Sequence, residues 1–206
     1  MNKASVIQWL QIFAAEIEQN KEYLTELDAA IGDADHGINM DRGFKKVASQ
    51  LPSLADKDIS TILKTVSMTL ISTVGGASGP LYGTFFLRAS TAVADKEELT
   101  TEDLSKLLKT GLEGVIQRGK AQLGDKTMVD VLSPVVDNFQ YIDKNKNIVE
   151  TMQQVVSVAE QAMKDTIPLL AKKGRASYLG DRSIGHQDPG ATSTYLMLKS
   201  LLAALA

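Results

Sequence analysis

The stretch DAAIGDADHGINMDRG sets Asp28, Asp33 and Asp35 close together, spaces them with glycines and follows them with His36 and Asn39. Carboxylates at short range repel one another, so folding alone gives no reason to gather three. A connection rich in Asp, Gly and Asn is also an ordinary turn between helices. A hard divalent cation would turn the repulsion into attraction, because it takes oxygen ligands. Counted from Asp33, the sixth and twelfth places hold Ile38 and Phe44, where a calcium loop needs Gly and Glu. Too few protein oxygens are present to fill a coordination sphere. Mg²⁺ fits that shortage, since it keeps waters and takes further ligands from phosphates.

A second segment, VGGASGP (Val74–Pro80), sets small residues just before a helix. Backbone N–H groups at such an end, with the Ser78 hydroxyl, suit phosphate oxygens. A helix corner with a serine cap accounts for the same residues. The run from Gly114 to Ala121 nearly matches the phosphate-loop pattern, but Ala121 stands where its Ser or Thr belongs. The preceding residues also read as helix rather than strand, so the match is accidental. The longest polar segment, KKGRASYLGDRSIGHQDPGATS (Lys172–Ser193), holds Arg175, Arg182, His186 and Asp188. His186 is open to roles as phosphate donor, acid–base group or surface side chain. Arg175 suits phosphate, because a guanidinium stays charged and grips two oxygens. Nothing local separates it from Arg182. The lack of cysteine excludes thiolate metal sites, two histidines argue against a His-rich one, and no hydrolase elbow or zincin motif is present.

The elements that must position these residues are helical almost throughout. Val6, Ile7, Leu10, Phe13, Ala14 and Ile17 share one helix face. A second helix carries Tyr23, Leu24, Leu27 and Ile31 to Gly32, and a third runs from about Ile38 to Leu51 before Pro52. Asp58 caps a fourth through Leu70. Pro80 opens a fifth, and Thr100 precedes a sixth with Leu104, Leu107, Leu108 and Leu112 inward. Further helices are predicted over Met128–Tyr141, over Ile148–Lys173 with a bend or division at Pro168, and from about Gly190 to Ala206. Strand-like alternation is scarce. The expectation is one all-α domain spanning 1–206, an antiparallel bundle or barrel of about eight helices. Its glycines collect in four breaks, Gly32–Gly43, Gly75–Gly79, Gly119–Gly124 and Gly174–Gly190, which a bundle can bring together at one end.

The whole chain agrees with that reading. At 206 residues, with 44% hydrophobic and 23% charged, it is long enough for one substantial core. A net charge of −3 argues against the basic surface that nucleic-acid binding needs. No run approaches the ~20 apolar residues of a membrane span, and the N-terminus lacks the pattern of a secretory signal. The expected location is cytoplasmic.

Taken together, LDAAIGDADHGINMDRGF, VGGASGPLYGTFF, RGKAQLGDKTMVDVL and GRASYLGDRSIGHQDPGATS resemble the ADP-binding L subunits of bacterial dihydroxyacetone kinases, over nearly the whole chain and in order. The resemblance implies a barrel of eight antiparallel helices with the nucleotide at one end. By it, Asp28, Asp33 and Asp35 match ligands of two Mg²⁺ ions set against the ADP phosphates. His36, Gly37, Ile38, Asn39, Ala77, Ser78, Gly119, Met128, Arg175, Asp188, Pro189 and Gly190 match nucleotide-binding positions. Adenine would lie around Gly119 and Met128, with Ser78 and Arg175 toward the phosphates.

The length leaves no room for the sugar-binding domain of fused relatives, so the chain looks like the free subunit. In that class a phosphotransferase-system M subunit rephosphorylates bound ADP. The resulting ATP passes its phosphoryl group to dihydroxyacetone on the K subunit, and ADP is a retained coenzyme. The same nucleotide site would also suit a regulatory subunit that binds a transcription factor or other partner without transfer. Whether two chains form a homodimer is open at this level.

Overall fold

The structure, a computed structural model, describes residues 1–141 and 147–206. Nine α-helices form among the described residues: α1 (Lys3–Gln19), α2 (Lys21–Ile31), α3 (His36–Gln50), α4 (Ile59–Thr73), α5 (Ser78–Ala92), α6 (Thr101–Gly119), α7 (Val129–Asn138), α8 (Ile148–Lys164) and α9 (Pro189–Ala203). Local chemistry starts most of them. Asp58 accepts the Thr61 N–H to cap α4. Thr100 and Asp103 form a reciprocal capping box on α6, as Asn147 and Glu150 do on α8. Asp188 caps α9 with Pro189 in its first turn.

Eight of the helices close a ring in which each packs on the next: α1, α3, α4, α5, α6, α7, α8, α9 and back to α1. Neighbours run antiparallel, so that α3, α5, α7 and α9 all begin at one end. The short α2 stands outside the ring, against α3 and α9. That explains how nine helices satisfy an eight-helix expectation. Inside the ring Trp9, Phe13, Phe44, Tyr82, Phe85 and Phe86 are fully buried in one contiguous core. Phe13 meets Phe44 edge-on at 4.4 Å between ring centres, and the Trp9 indole N–H donates to the Met197 carbonyl, tying α1 to α9. No described helix is long and apolar enough to cross a membrane.

Four expectations need correction. Helix α3 begins at His36, not Ile38, because the Asp28 carboxylate accepts the N–H groups of Asp35 and His36 and holds the first turn. Helix α8 ends at Lys164 rather than Lys173, and Pro168 lies beyond it instead of bending it. The chain leaves the helix in turns before reaching a residue that lacks the donor N–H. The polar segment after Gly174 is not plain loop either: Arg175–Ser183 forms 3-10 turns, kinked at Gly180 where φ is +57°. The glycine breaks are also shorter than the pattern suggests. Gly37 and Gly43 lie inside α3, where added Cβ atoms would meet the Lys21 carbonyl and the Val74 side chain.

Candidate functional site

One end of the barrel holds a cavity of about 480 Å³, within the roughly 300–1,000 Å³ usual for small-molecule sites. Four helices begin at its wall, contributing His36 of α3, Ser78 of α5, Val129 of α7 and Pro189 of α9. Helix N-termini carry partial positive charge and free N–H groups, so the wall favours an anion.

Against this stands the acidic cluster. Asp28, at the end of α2, and Asp33 and Asp35, in the loop before α3, each place a carboxylate oxygen within 4.8 Å of the others. The connection is tight enough to put Ala34 at φ +61°, a left-handed conformation. Asp28 is buried, and one of its oxygens is engaged by Asp35 N–H at 2.8 Å and His36 N–H at 3.1 Å. Its other oxygen makes no described hydrogen bond and adds to the set. This oxygen-only donor group fits a hard cation such as Mg²⁺. Arg175 reaches the same place, with Nε 2.8 Å from the Asp33 carboxylate. Arg182 and His186 are exposed and outside the cavity wall, so the fold separates the two arginines where sequence did not.

The other anticipated positions divide. Ala77 and Ser78 line the cavity, as do Gly119 and Met128 on the α6–α7 side and Asp188, Pro189 and Gly190 at the start of α9. Gly37, Ile38 and Asn39 do not line it. Gly37 is pressed against α2, Ile38 is 46% exposed, and Asn39 is buried, its side-chain Oδ1 accepting from the Arg42 guanidinium.

His36 lines the wall with an imidazole already engaged on both sides. Nδ1 is 3.0 Å from Ser78 Oγ, and Nε2 is 2.9 Å from Ser193 Oγ. Burial pushes its pKa down to about 4, against the opposing pull of Asp28 and Asp35, so the ring is neutral near pH 7. Ser193 meets Tyr82 Oη at 2.7 Å, and burial raises that phenol to about 12. The Asp188 carboxyl is raised to about 7, chiefly by burial; Ala191 N–H, which it accepts at 2.7 Å, pulls the other way.

Sequence reasoning missed Tyr82, Ser193 and Lys126. Tyr82 stands close to Phe85 and Phe86 in α5, where an aromatic carries no local sign of a site, and Ser193 sits three residues after Gly190 on a helix that reads as apolar. Lys126, inside GDKTM, is 1% exposed, an unusual fate for a lysine that spacing cannot reveal.

The DAK2 domain model matches residues 30–203. The chain is 51% identical over 205 residues to the ADP-binding subunit DhaL of the PEP-dependent dihydroxyacetone kinase of Escherichia coli, covering 99% of this chain and 98% of that one. It is 45% identical over 202 residues to the ADP-binding subunit DhaL of the PTS-dependent dihydroxyacetone kinase of Lactococcus lactis, covering 98% and 97%. Among solved structures, the dihydroxyacetone kinase of C. freundii superposes with a TM-score of 0.77 at 25% identity, over 98% of this chain and 35% of that one.

Proposed function

The chain belongs to the DAK2 domain family and, within it, to the ADP-binding subunits of dihydroxyacetone kinases, and from that premise we propose how its cavity works. ADP is held at the open end of the barrel as a retained coenzyme with two Mg²⁺ ions. A phosphotransferase-system M subunit charges it, and the phosphoryl group passes to dihydroxyacetone on a separate K subunit, in the cytoplasm. The observation that carries this reading is the meeting of opposite charges in one cavity: three aspartates within 4.8 Å, and around them Arg175 and four helix N-termini. Neither set is easily tolerated alone. A nucleoside diphosphate with about three negative charges, brought in with divalent cations, satisfies both.

Asp28, Asp33 and Asp35 would hold the Mg²⁺ ions, which supply neutralisation of phosphate charge during transfer. Asp28 is the best fixed of the three, because two backbone N–H groups set its orientation. Ser78 and the N–H groups at the start of α5 would face phosphate oxygens, with the Ser78 hydroxyl oriented by the neutral His36. Arg175 would move from Asp33 to phosphate, exchanging one anion for another. The base would lie on the apolar side, against Leu81, Val115, Gly119 and Met128. No nucleophile of the chain's own is required. Its work is alignment and electrostatics, which dominate phosphoryl transfer.

The test is direct. Denaturing the purified protein should release ADP in near one-to-one ratio, and adding M subunit with its phosphodonor chain should convert bound ADP to ATP before release. Protein that yields no nucleotide, or ADP that stays unphosphorylated while another partner binds, would overturn the transfer role.

A further inference from the structure

Lys126 is a buried cation that none of these roles uses. It stands in the connection between α6 and α7 with φ at +64° and is 1% exposed. Its ammonium donates to the carbonyls of Ser183 at 2.7 Å, Leu169 at 3.1 Å and Ile167 at 3.3 Å. Three protons meet three acceptors. No described carboxylate lies within ion-pairing distance of it; its bonds go to backbone carbonyls, and the buried Asp188 attracts it only at longer range. Taking an ammonium out of water is costly, and an ordinary turn does not need one.

What the contacts join is informative. Ile167 and Leu169 belong to the turns after α8, and Ser183 ends the 3-10 segment that begins at Arg175. Lys126 itself lines the cavity, on the connection that leaves Gly119 at the end of α6 and supplies Thr127 and Met128 to the same wall. A second tie crosses between the same two segments, Lys172 N–H to the Asp125 carbonyl at 3.1 Å, while Ala171 N–H to Ser183 Oγ at 2.9 Å closes the segment after α8 on itself.

We propose that Lys126 is a positioning residue for the nucleotide: its ammonium fixes the spacing between the connection bearing Gly119 and Met128 and the segment bearing Arg175, so that one ligand engages both. This deepens the function proposed above and rests on it. A nucleoside diphosphate spans the two walls, and its affinity depends on their separation; a misplacement of about 1 Å is enough to weaken an aligned contact strongly. Adenosine touches only the apolar wall and does not sense that separation.

The readout is therefore a ratio, which a merely structural loss would not move. After bound nucleotide is stripped by chelation and dialysis, wild-type protein and Lys126→Met are titrated calorimetrically with Mg-ADP and with adenosine. The expected result is a loss of about tenfold or more in ADP affinity, with adenosine affinity changed by less than about threefold. Equal weakening of both ligands, or no change in either, would overturn the inference. Wild-type protein that fails to bind ADP would overturn the function beneath it instead. Should K126M not fold, Lys126→Gln keeps a polar side chain there but is shorter and offers fewer than the three donors the carbonyls of Ile167, Leu169 and Ser183 take. It must shift the same ratio in the same direction, by a smaller factor, and an unchanged ratio overturns the inference.

Discussion

Arg175 and Asp33 face each other across the mouth of the cavity, 2.8 Å apart, with the arginine side chain 70% exposed and the aspartate 38%. An ion pair so open to solvent contributes only about 0–1 kcal/mol to folding. Its stability value cannot explain why a guanidinium is held beside an acidic cluster. Arg175→Ala should leave the melting temperature within about 2 °C of wild type while weakening ADP binding about tenfold or more. Calorimetry of wild type and Arg175→Ala with Mg-ADP checks it, and global unfolding would mark Arg175 as structural.

The aspartates should separate by role. Asp33 makes no described contact beyond Arg175, so Asp33→Ala should release nucleotide with little cost to the apo fold. Asp28 also receives two backbone N–H groups that open α3. Asp28→Ala should therefore lose nucleotide and also cost about 1–3 kcal/mol of apo stability. Denaturant titration of the stripped proteins distinguishes the two, and tight ADP retention by either variant would count against the cluster as a metal site.

Chelation should lower stability through linkage. A ligand present at a hundredfold its dissociation constant stabilises by about 2.7 kcal/mol, which corresponds to roughly 5–10 °C in a chain of this size. Excess EDTA should lower the melting temperature by that order and liberate ADP together. A melting curve unchanged by EDTA would speak against metal and nucleotide being bound as a unit.

Asp103 provides a pH dependence remote from the cavity. The Thr100 N–H, followed by Lys96 at 3.0 Å, lowers its carboxyl to about 2. The folded value lies below the unfolded one, so the stabilisation is complete above about pH 4 and is lost as pH falls through about 2. After discount for screening near the surface it amounts to about 1–2 kcal/mol. Asp103→Asn should be less stable than wild type at neutral pH, and the gap should close toward pH 2. A gap that persists there would mean the residue acts through packing. ADP binding should be unchanged.

Gly37 tests whether the helix crossing positions the acidic cluster. A Cβ there would run into the Lys21 carbonyl and the Thr25 side chain on α2. Gly37→Ala should cost about 1–3 kcal/mol and weaken nucleotide binding by moving Asp28 relative to Asp35. Normal binding and stability would show that the crossing has slack.

Much of the fold was legible because helix periodicity and capping are local. Leucines at spacings of three and four marked the buried face of α6, and Asp58 and Thr100 marked starts, with no need to know what lay across the core. The end of α8 was not legible, since an apolar pattern continues past Lys164 into residues that pack as turns. Of the site, the acidic cluster was legible because Asp28, Asp33 and Asp35 fall at one short interhelical connection and only a shared cation gives three carboxylates there a common purpose. Sequence by itself also supplied the family through four motifs in order. Only the tertiary structure chose Arg175 over Arg182, set Gly37 to packing against α2, and coupled His36 to Ser193 across 157 positions of chain. It also buried Lys126 against three carbonyls from distant turns. Those outcomes depend on which helix ends meet when the ring closes, and no spacing within a single element carries that information.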